Sequence, residues 1–328
     1  MTNDTTAPAR GITALPENQP LRLGTRSSPL AMAQAHEVAD RLCRAHGLPE
    51  SAIAICAAEA SGDKITDRAL REVGGKALWT RELDHQLDNG DVDFSVHSMK
   101  DVETIRPDQF TIAAILPRAD ARDMLIGADS IRDIPHGAKF GTSSPRRAAQ
   151  MRSLRPDIEV VLFRGNVATR LAKLEAGIAD VTLLAKAGLD RLGETGLGAP
   201  LAIDEWTPAA AQGAIGVETR SNNAALRDFL SAIDDAPTHD AVMLERRFLA
   251  ALGGSCHSSV AAHVATQNGQ KAMRALLYSE DGRDHVAETL ALDGANHETD
   301  AEAVDRLAAS MLATAPETIT RLFDPPGS

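Results

Sequence analysis

Between Val96 and Val102 the chain reads Val-His-Ser-Met-Lys-Asp-Val, which puts a hydroxyl (Ser98), a cation (Lys100) and a carboxylate (Asp101) within four residues. The apolar residues before them predict a strand over Asp93–His97, so these groups fall at its C-terminal end, where open α/β sheets bind ligands. Taken alone, the same residues also read as a turn with a surface Lys–Asp pair, and His97 as a packed strand residue. A second concentration is cationic. From Lys139 to Lys173 there are eight basic residues, opposed only by Asp157 and Glu159, in a chain of net charge −12. That stretch suits a small anionic ligand or, alternatively, a solvated helix face. Arginine's planar fork binds carboxylates bidentately. Arg164 stands before a helix start and Arg170 within that helix, with few local acids to pair them.

The third group is Leu252-Gly-Gly-Ser-Cys-His, which leaves one thiol on a glycine loop between a helix and a strand. Cys43 falls in an amphipathic helix and Cys56 in an apolar strand, so both read as small core residues. Cys256 alone has a context that suggests reactivity. A metal is not expected, because His257 beside it is not at chelating spacing. Neither is a cysteine hydrolase, for want of His and Asn partners. Gly74-Gly75-Lys76 is a glycine hinge without P-loop spacing. From it Lys76 can reach into a cleft, while Trp79, Leu83 and Leu87 recur as a core stripe.

These groups require elements to hold them. The pattern predicts strands over Leu21–Gly24, Ala52–Ala57, Asp93–His97, Thr111–Leu116, Met124–Gly127, Ile158–Phe163 and Asp180–Leu184. It predicts helices over Pro29–Ala45, Leu78–Asp88, Pro145–Ser153, Val167–Ala176, Asn222–Ile233 and His239–Leu252. Such alternation implies α/β architecture. After it come strands at Val260–Thr266, Ala272–Tyr278 and Glu288–Leu292, with turn signals at Asn268-Gly269 and Asp281-Gly282, and one helix near Asp300–Ala313. Those form a small α+β unit. One internal echo stands out. Gly24-Thr-Arg-Ser-Ser-Pro29 and Gly141-Thr-Ser-Ser-Pro145-Arg-Arg each lead from a strand into a helix. Ser28 or Ser144 caps the helix, and Pro29 or Pro145 takes its first position. The free amides then face the loop, ready for an anion, with Arg26 beside one start and Arg146 and Arg147 beside the other.

The 328 residues, 43% hydrophobic and 24% charged, predict two or three globular domains and exclude global disorder. No apolar run approaches the roughly 18 residues that span a bilayer, and no apolar h-region marks a signal peptide. Three cysteines are not a disulfide framework, so a cytoplasmic protein with free thiols is expected. The negative balance argues against nucleic acid. Residues 1–19 are expected to form a mobile polar tail.

Together the stretches resemble the porphobilinogen deaminase (hydroxymethylbilane synthase) family. The resemblance runs from about Leu21 to Cys256 and continues weakly beyond. It is carried, in order, by V-H-S-M-K-D, T-S-S-x-R-R, R-G-N-V-x-T-R, A-x-A-G-L-x-R-L at Ala185–Leu192, A-A-x-Q-G-A at Ala209–Ala214, and G-S-C. It implies two lobes like those of type II periplasmic binding proteins around a cleft, plus the small C-terminal domain. The implied boundaries are 20–117 with 215–235 for the first lobe, 118–214 for the second, and 236–328 for the third domain. It implies a dipyrromethane cofactor bound through Cys256 and Asp101 as the catalytic carboxylate. It further implies that four porphobilinogens are condensed in turn, each losing ammonia, and that hydrolysis releases hydroxymethylbilane. Each pyrrole bears an acetate and a propionate. By resemblance Arg26, Arg146, Arg147, Arg164, Arg170 and Arg191 neutralise them, with Ser28, Lys76, Ser98, Lys100, Thr142 and Ser144. The four arginines at 146, 147, 164 and 170 are therefore expected to pair with ligand carboxylates and not with protein acids. A monomer is implied, with uroporphyrinogen III synthase as recipient of the product. The chain departs from the family at Trp79 (often Phe), Glu103 (often Pro), Ala168 (often Gly) and Ser259 (usually Pro). The competing readings are a non-catalytic anion-binding protein on the same two lobes and a nucleic-acid module on the basic stretch. The first leaves Cys256 and Asp101 unexplained. The second conflicts with the net charge and with only 3% aromatics.

Overall fold

A computed structural model describes residues 19–59, 80–254, 258–294 and 296–323. Lys76, Trp79 and Cys256 lie outside them. Among the described residues the strands form three sheets. The first contains β1 (Leu21–Arg26), β2 (Ile53–Ala58), β3 (Phe94–Ser98), β4 (Phe110–Ile115) and β10 (Ile215–Arg220), in the order β2-β1-β3-β10-β4. The second contains β5 (Asp123–Ile126), β6 (Lys139–Thr142), β7 (Glu159–Leu162), β8 (Val181–Ala185) and β9 (Ala199–Pro200), in the order β7-β6-β8-β5-β9. The two orders are one pattern. In each, the first strand of the unit pairs in parallel with the second and third, and one antiparallel strand separates the third from the edge strand. In the first sheet that strand is β10, which returns from beyond the second sheet; in the second it is β5, which enters from the first. The chain thus crosses twice between two α/β lobes of the same topology.

The helices follow from spacing and caps. α1 (Pro29–His46) buries Ala31, Ala35, Val38 and Leu42 on one face, against β1 and β3, and ends at left-handed Gly47. α2 (Arg81–Asn89) buries Leu83 and Leu87. α3 (Pro145–Leu154) and α4 (Val167–Glu175) flank the second sheet, and α5 (Lys186–Arg191) follows β8 directly. The echoed caps form as expected. The Ser28 hydroxyl accepts from the Ala31 amide at 3.3 Å, and the Ser144 hydroxyl from the Arg147 amide at 3.4 Å. The two caps occupy equivalent places in the two lobes, after β1 and after β6.

α6 (Ala224–Ser231) completes the first lobe's core, and α7 (Ala236–Ala251) leads into the C-terminal unit. There β11 (Val260–Gln267), β12 (Gln270–Tyr278) and β13 (His285–Leu292) form an antiparallel meander, covered by α7 and α8 (His297–Thr314), with the short α9 (Glu317–Thr320) at the edge. Asn268 and Gly269 make the hairpin turn with φ of 52° and 79°, the paired left-handed conformation of a type I′ turn.

Candidate functional site

Asp101 ends a single 3₁₀ turn, Met99–Asp101, that follows β3. The Met99 amide donates to the Ala214 carbonyl at 3.1 Å and the Val102 amide to the Met99 carbonyl at 3.3 Å, so backbone bonds fix the turn. Lys100 and Asp101 are half-buried. Burial pushes the Lys100 ammonium down from its ordinary value; the Asp101 charge opposes this, and the Arg147 charge adds to it. Asp123 and Arg170 also act on Lys100. The C-terminal ends of β3 and β6 therefore bring their charged groups within electrostatic range of one another.

Arg170 donates from Nε to the Gly165 carbonyl at 2.9 Å. Burial, followed by repulsion from Arg147 and Arg164 against attraction from Asp101, lowers its guanidinium to about 10. A cation destabilised this way favours an anionic ligand, because added negative charge relieves both causes. Arg164 is buried at the start of the same turn, where its carbonyl accepts from Lys173 Nζ at 3.0 Å. Thr142 closes β6, its hydroxyl accepting from the Ser144 amide at 3.1 Å. Arg26 ends β1, the equivalent strand of the other lobe. The Ser98 hydroxyl lies 2.8 Å from the Gln34 amide nitrogen and 3.0 Å from its oxygen, so a protein partner engages it.

One expectation fails. Arg146 and Arg147 do have a protein acid. Asp123, at the start of β5 and fully buried, accepts from Arg146 Nη2 at 2.8 Å and from Arg147 Nη2 at 2.7 Å. It also accepts from Trp206 Nε1 at 2.8 Å and Gln212 Nε2 at 2.8 Å. Burial alone raises Asp123, but the charges of Arg147 and Arg146 override it and hold the carboxyl far below the usual carboxylate range. The partner escapes a local reading because it comes from a neighbouring strand and not from the helix that bears the arginines. Arg146 is committed further, with Nη1 2.8 Å from the Thr207 carbonyl. Arg147 Nη1 donates to the Leu183 carbonyl at 2.7 Å. Two guanidiniums on one carboxylate still leave net positive charge beside Lys100 and Arg170. Arg191 also pairs with an acid, Glu37 of α1, with Nε 3.3 Å from its Oε2, and donates to the Gly213 carbonyl at 3.2 Å.

Around the Asp101 turn lies an ion network that the sequence reading did not assemble. Glu103 Oε2 accepts from Arg106 Nη1 at 2.5 Å and from the Thr80 hydroxyl at 2.9 Å. The residue that replaces a common family proline is thus part of an ion network. Arg106 also reaches Asp84 and the buried Glu218, which faces His97 at 3.2 Å. Ala168 sits exposed in the first turn of α4, where a methyl costs nothing, and Ser259 is buried with its carbonyl held by the Tyr278 amide at 3.0 Å. Cys43 is buried and Cys56 half-buried, each packed against the first lobe's core, as read from the pattern.

Does this arrangement fit a dipyrromethane? Its acidic side chains need cations not already neutralised, and Lys100 and Arg170 carry charges that burial and mutual repulsion disfavour. The donor set fits.

Two family models match the chain: "Porphobilinogen deaminase, dipyromethane cofactor binding domain" over residues 21–228, and "Porphobilinogen deaminase, C-terminal domain" over residues 240–313. The porphobilinogen deaminase of Sphingopyxis alaskensis is 56% identical over 316 residues, 94% of this chain and 98% of the relative. That of Paracoccus denitrificans is 46% identical over 297 residues, 88% and 95% of the two chains.

Proposed function

The chain belongs to the porphobilinogen deaminase family, and from that premise we propose how its residues carry the reaction. The enzyme is a hydroxymethylbilane synthase: it condenses porphobilinogen stepwise, with loss of ammonia, in tetrapyrrole biosynthesis. Dipyrromethane, joined to Cys256 as a thioether, supplies the free pyrrole carbon on which condensation begins.

Asp101 is the catalytic carboxylate. Loss of ammonia from porphobilinogen leaves a cation delocalised over the substrate ring. A carboxylate held in a half-buried turn stabilises that charge without having to reorganise. Lys100 and Arg170 receive the substrate's acetate and propionate, with Arg164, Arg26, Arg191 and Lys76 as further cations. Arg147 adds charge from one side, and Arg146 holds Arg147's partner in place. Ser28 and Ser144 keep the two helix starts capped, and Thr142 supports Ser144. Ser98 orients α1 through Gln34. We assign 20–117 with 215–235, 118–214 and 236–328 as the three domains. A monomer in the cytoplasm, handing its product to uroporphyrinogen III synthase, completes the reading.

The observation that carries the assignment of the site is the placement of Asp101 and Lys100 on the backbone-fixed 3₁₀ turn that ends β3, where the charges of Arg147 and Arg170 act on Lys100. Its test is turnover. Purified protein given porphobilinogen should release ammonia and hydroxymethylbilane, and Asp101→Asn should retain its bound dipyrrole while losing about 10²–10³-fold in rate. Turnover near normal in the loaded variant removes Asp101 from the catalytic role.

A further inference from the structure

The segment after Asp101 and the C-terminal end of α7 are far apart in sequence but joined in space. The Thr104 hydroxyl donates to the Gly254 carbonyl at 3.3 Å. Thr104 lies three residues after Asp101, and Gly254 two residues before Cys256. Both ends of this bond are fixed independently. Gly254 is held at the end of α7, its amide donating to the Leu249 carbonyl at 2.8 Å. A Cβ there would lie 3.3 Å from that carbonyl oxygen and 3.4 Å from the Ser258 hydroxyl, so the position is closely packed on both sides. Along the same helix Arg246, buried, lies against three successive carbonyls: Nη1 reaches that of Val102 at 3.2 Å, and Nη2 those of Glu103 at 2.5 Å and Thr104 at 3.2 Å. On the other flank the Glu103 carboxylate is tied to Arg106 and Thr80. The strip 102–104 is thereby clamped to α7. The Thr104 hydroxyl is the part of the clamp that reaches the last described residue before the cysteine.

We propose that Thr104 is a positioning residue for the condensation: it holds Gly254, two residues before Cys256 in sequence, against the strip that follows the Asp101 turn. The proposal rests on the assignments of Cys256 and Asp101 above and deepens them. Condensation needs the growing end and the substrate cation to meet beside one carboxylate. A small error in the placement of Gly254 costs orientation at the reacting carbon and leaves the binding of free porphobilinogen intact. Thr104 acts through that anchor and touches no reacting atom, so its loss should appear in kcat and not in KM.

Thr104→Val removes the hydroxyl at nearly constant shape, and Thr104→Ser keeps it. If Thr104→Val does not fold, Thr104→Ala takes its place. The unmodified protein is first analysed by intact mass and peptide mapping, and each variant by thermal unfolding and steady-state kinetics with porphobilinogen. We expect kcat of Thr104→Val to fall about three- to tenfold, the range of one neutral hydrogen bond, with KM and melting temperature unchanged and Thr104→Ser at the unmodified rate. A normal kcat in Thr104→Val, a loss confined to KM, or a kcat loss that Thr104→Ser shares overturns the proposal. An unmodified protein with no group on Cys256 overturns the cysteine assignment and the proposal with it. An adduct on Cys256 together with a normal Thr104→Val overturns the positioning role alone.

Discussion

The arginines divide by what holds them. Arg146 spends its contacts on Asp123 and the Thr207 carbonyl inside the second lobe, whereas among the described residues the side chain of Arg170 donates to a backbone carbonyl alone, that of Gly165 at 2.9 Å. Removing Arg146 takes one of two guanidiniums from a fully buried carboxylate, which Arg147, Trp206 and Gln212 then compensate only in part. Arg146→Ala should therefore cost about 3 kcal/mol of stability. Arg170→Ala should change the stability of the cofactor-free protein by less than about 1 kcal/mol, because it removes a cation that its neighbours repel. Turnover should behave the other way. Arg170→Ala should lose roughly tenfold or more, the worth of a charge-assisted contact to a carboxylate. Urea unfolding and kcat measured on both variants check this, and equal unfolding losses would refute the division. At this scale the capping serines were legible because each cap shows in a few consecutive residues. Asp123 was not. Its role exists only after β5 and β6 have been placed on either side of β8.

Elements were legible where the chain is locally self-consistent. The strand-to-helix units at 21–46 and 139–154 formed within two residues of expectation, apart from the four-residue strand β6, which only the echo indicated. β10 was missed. It carries Glu218 and Thr219 fully buried, a polar pattern that does not read as a central strand. Both are satisfied from elsewhere, Glu218 by Arg106 and His97 and Thr219 by the Asp93 carbonyl at 3.0 Å. Just before β10, Gly213 has a φ of 86°, and a Cβ on it would lie 2.6 Å from the Ala119 carbonyl oxygen. A side chain there would be strained in conformation and would collide with backbone. Gly213→Ala should lower the melting temperature by about 10 °C or more, from roughly 2–4 kcal/mol of combined strain and clash. Its carbonyl also accepts from Arg191, so activity per folded molecule should fall too. A melting temperature within 2 °C of the unmodified protein, on the scale of about 4 °C for 1 kcal/mol, would contradict this account of the crossover.

Across the whole molecule, one buried acid ties the crossing segments to the C-terminal unit. Glu245 of α7 accepts from Arg118 Nη1 at 2.6 Å, from the Ala211 amide at 2.5 Å and from the Val264 amide at 2.7 Å, and it faces His263 at 3.2 Å. Burial by itself raises this carboxyl, but the Arg118 charge, then the close His263 ring and the Arg118 hydrogen bonds, bring it down to about 2. Glu218 likewise falls to about 2, burial being outweighed first by His97 and then by Arg106. An acid whose folded value lies below its unfolded one contributes stability in full above the unfolded value and loses it as pH falls towards the folded one. The protein should therefore lose stability between about pH 5 and pH 2. Glu245→Gln should be less stable than the unmodified protein at pH 7 and show a shallower loss over that range. Urea midpoints against pH check it; parallel curves would place the acid sensitivity elsewhere.

The central claim is that Cys256 carries the primer on which this chain builds its product. The direct measurement is intact mass and peptide mapping of the purified protein before and after a limiting dose of porphobilinogen. The account predicts a dipyrrole adduct on the Cys256 peptide before the dose. After it, up to four substrate units less ammonia should be added stepwise to that same peptide, with Cys43 and Cys56 unmodified throughout. An unmodified Cys256 peptide in protein that turns over porphobilinogen, or an adduct on Cys43 or Cys56, would contradict it.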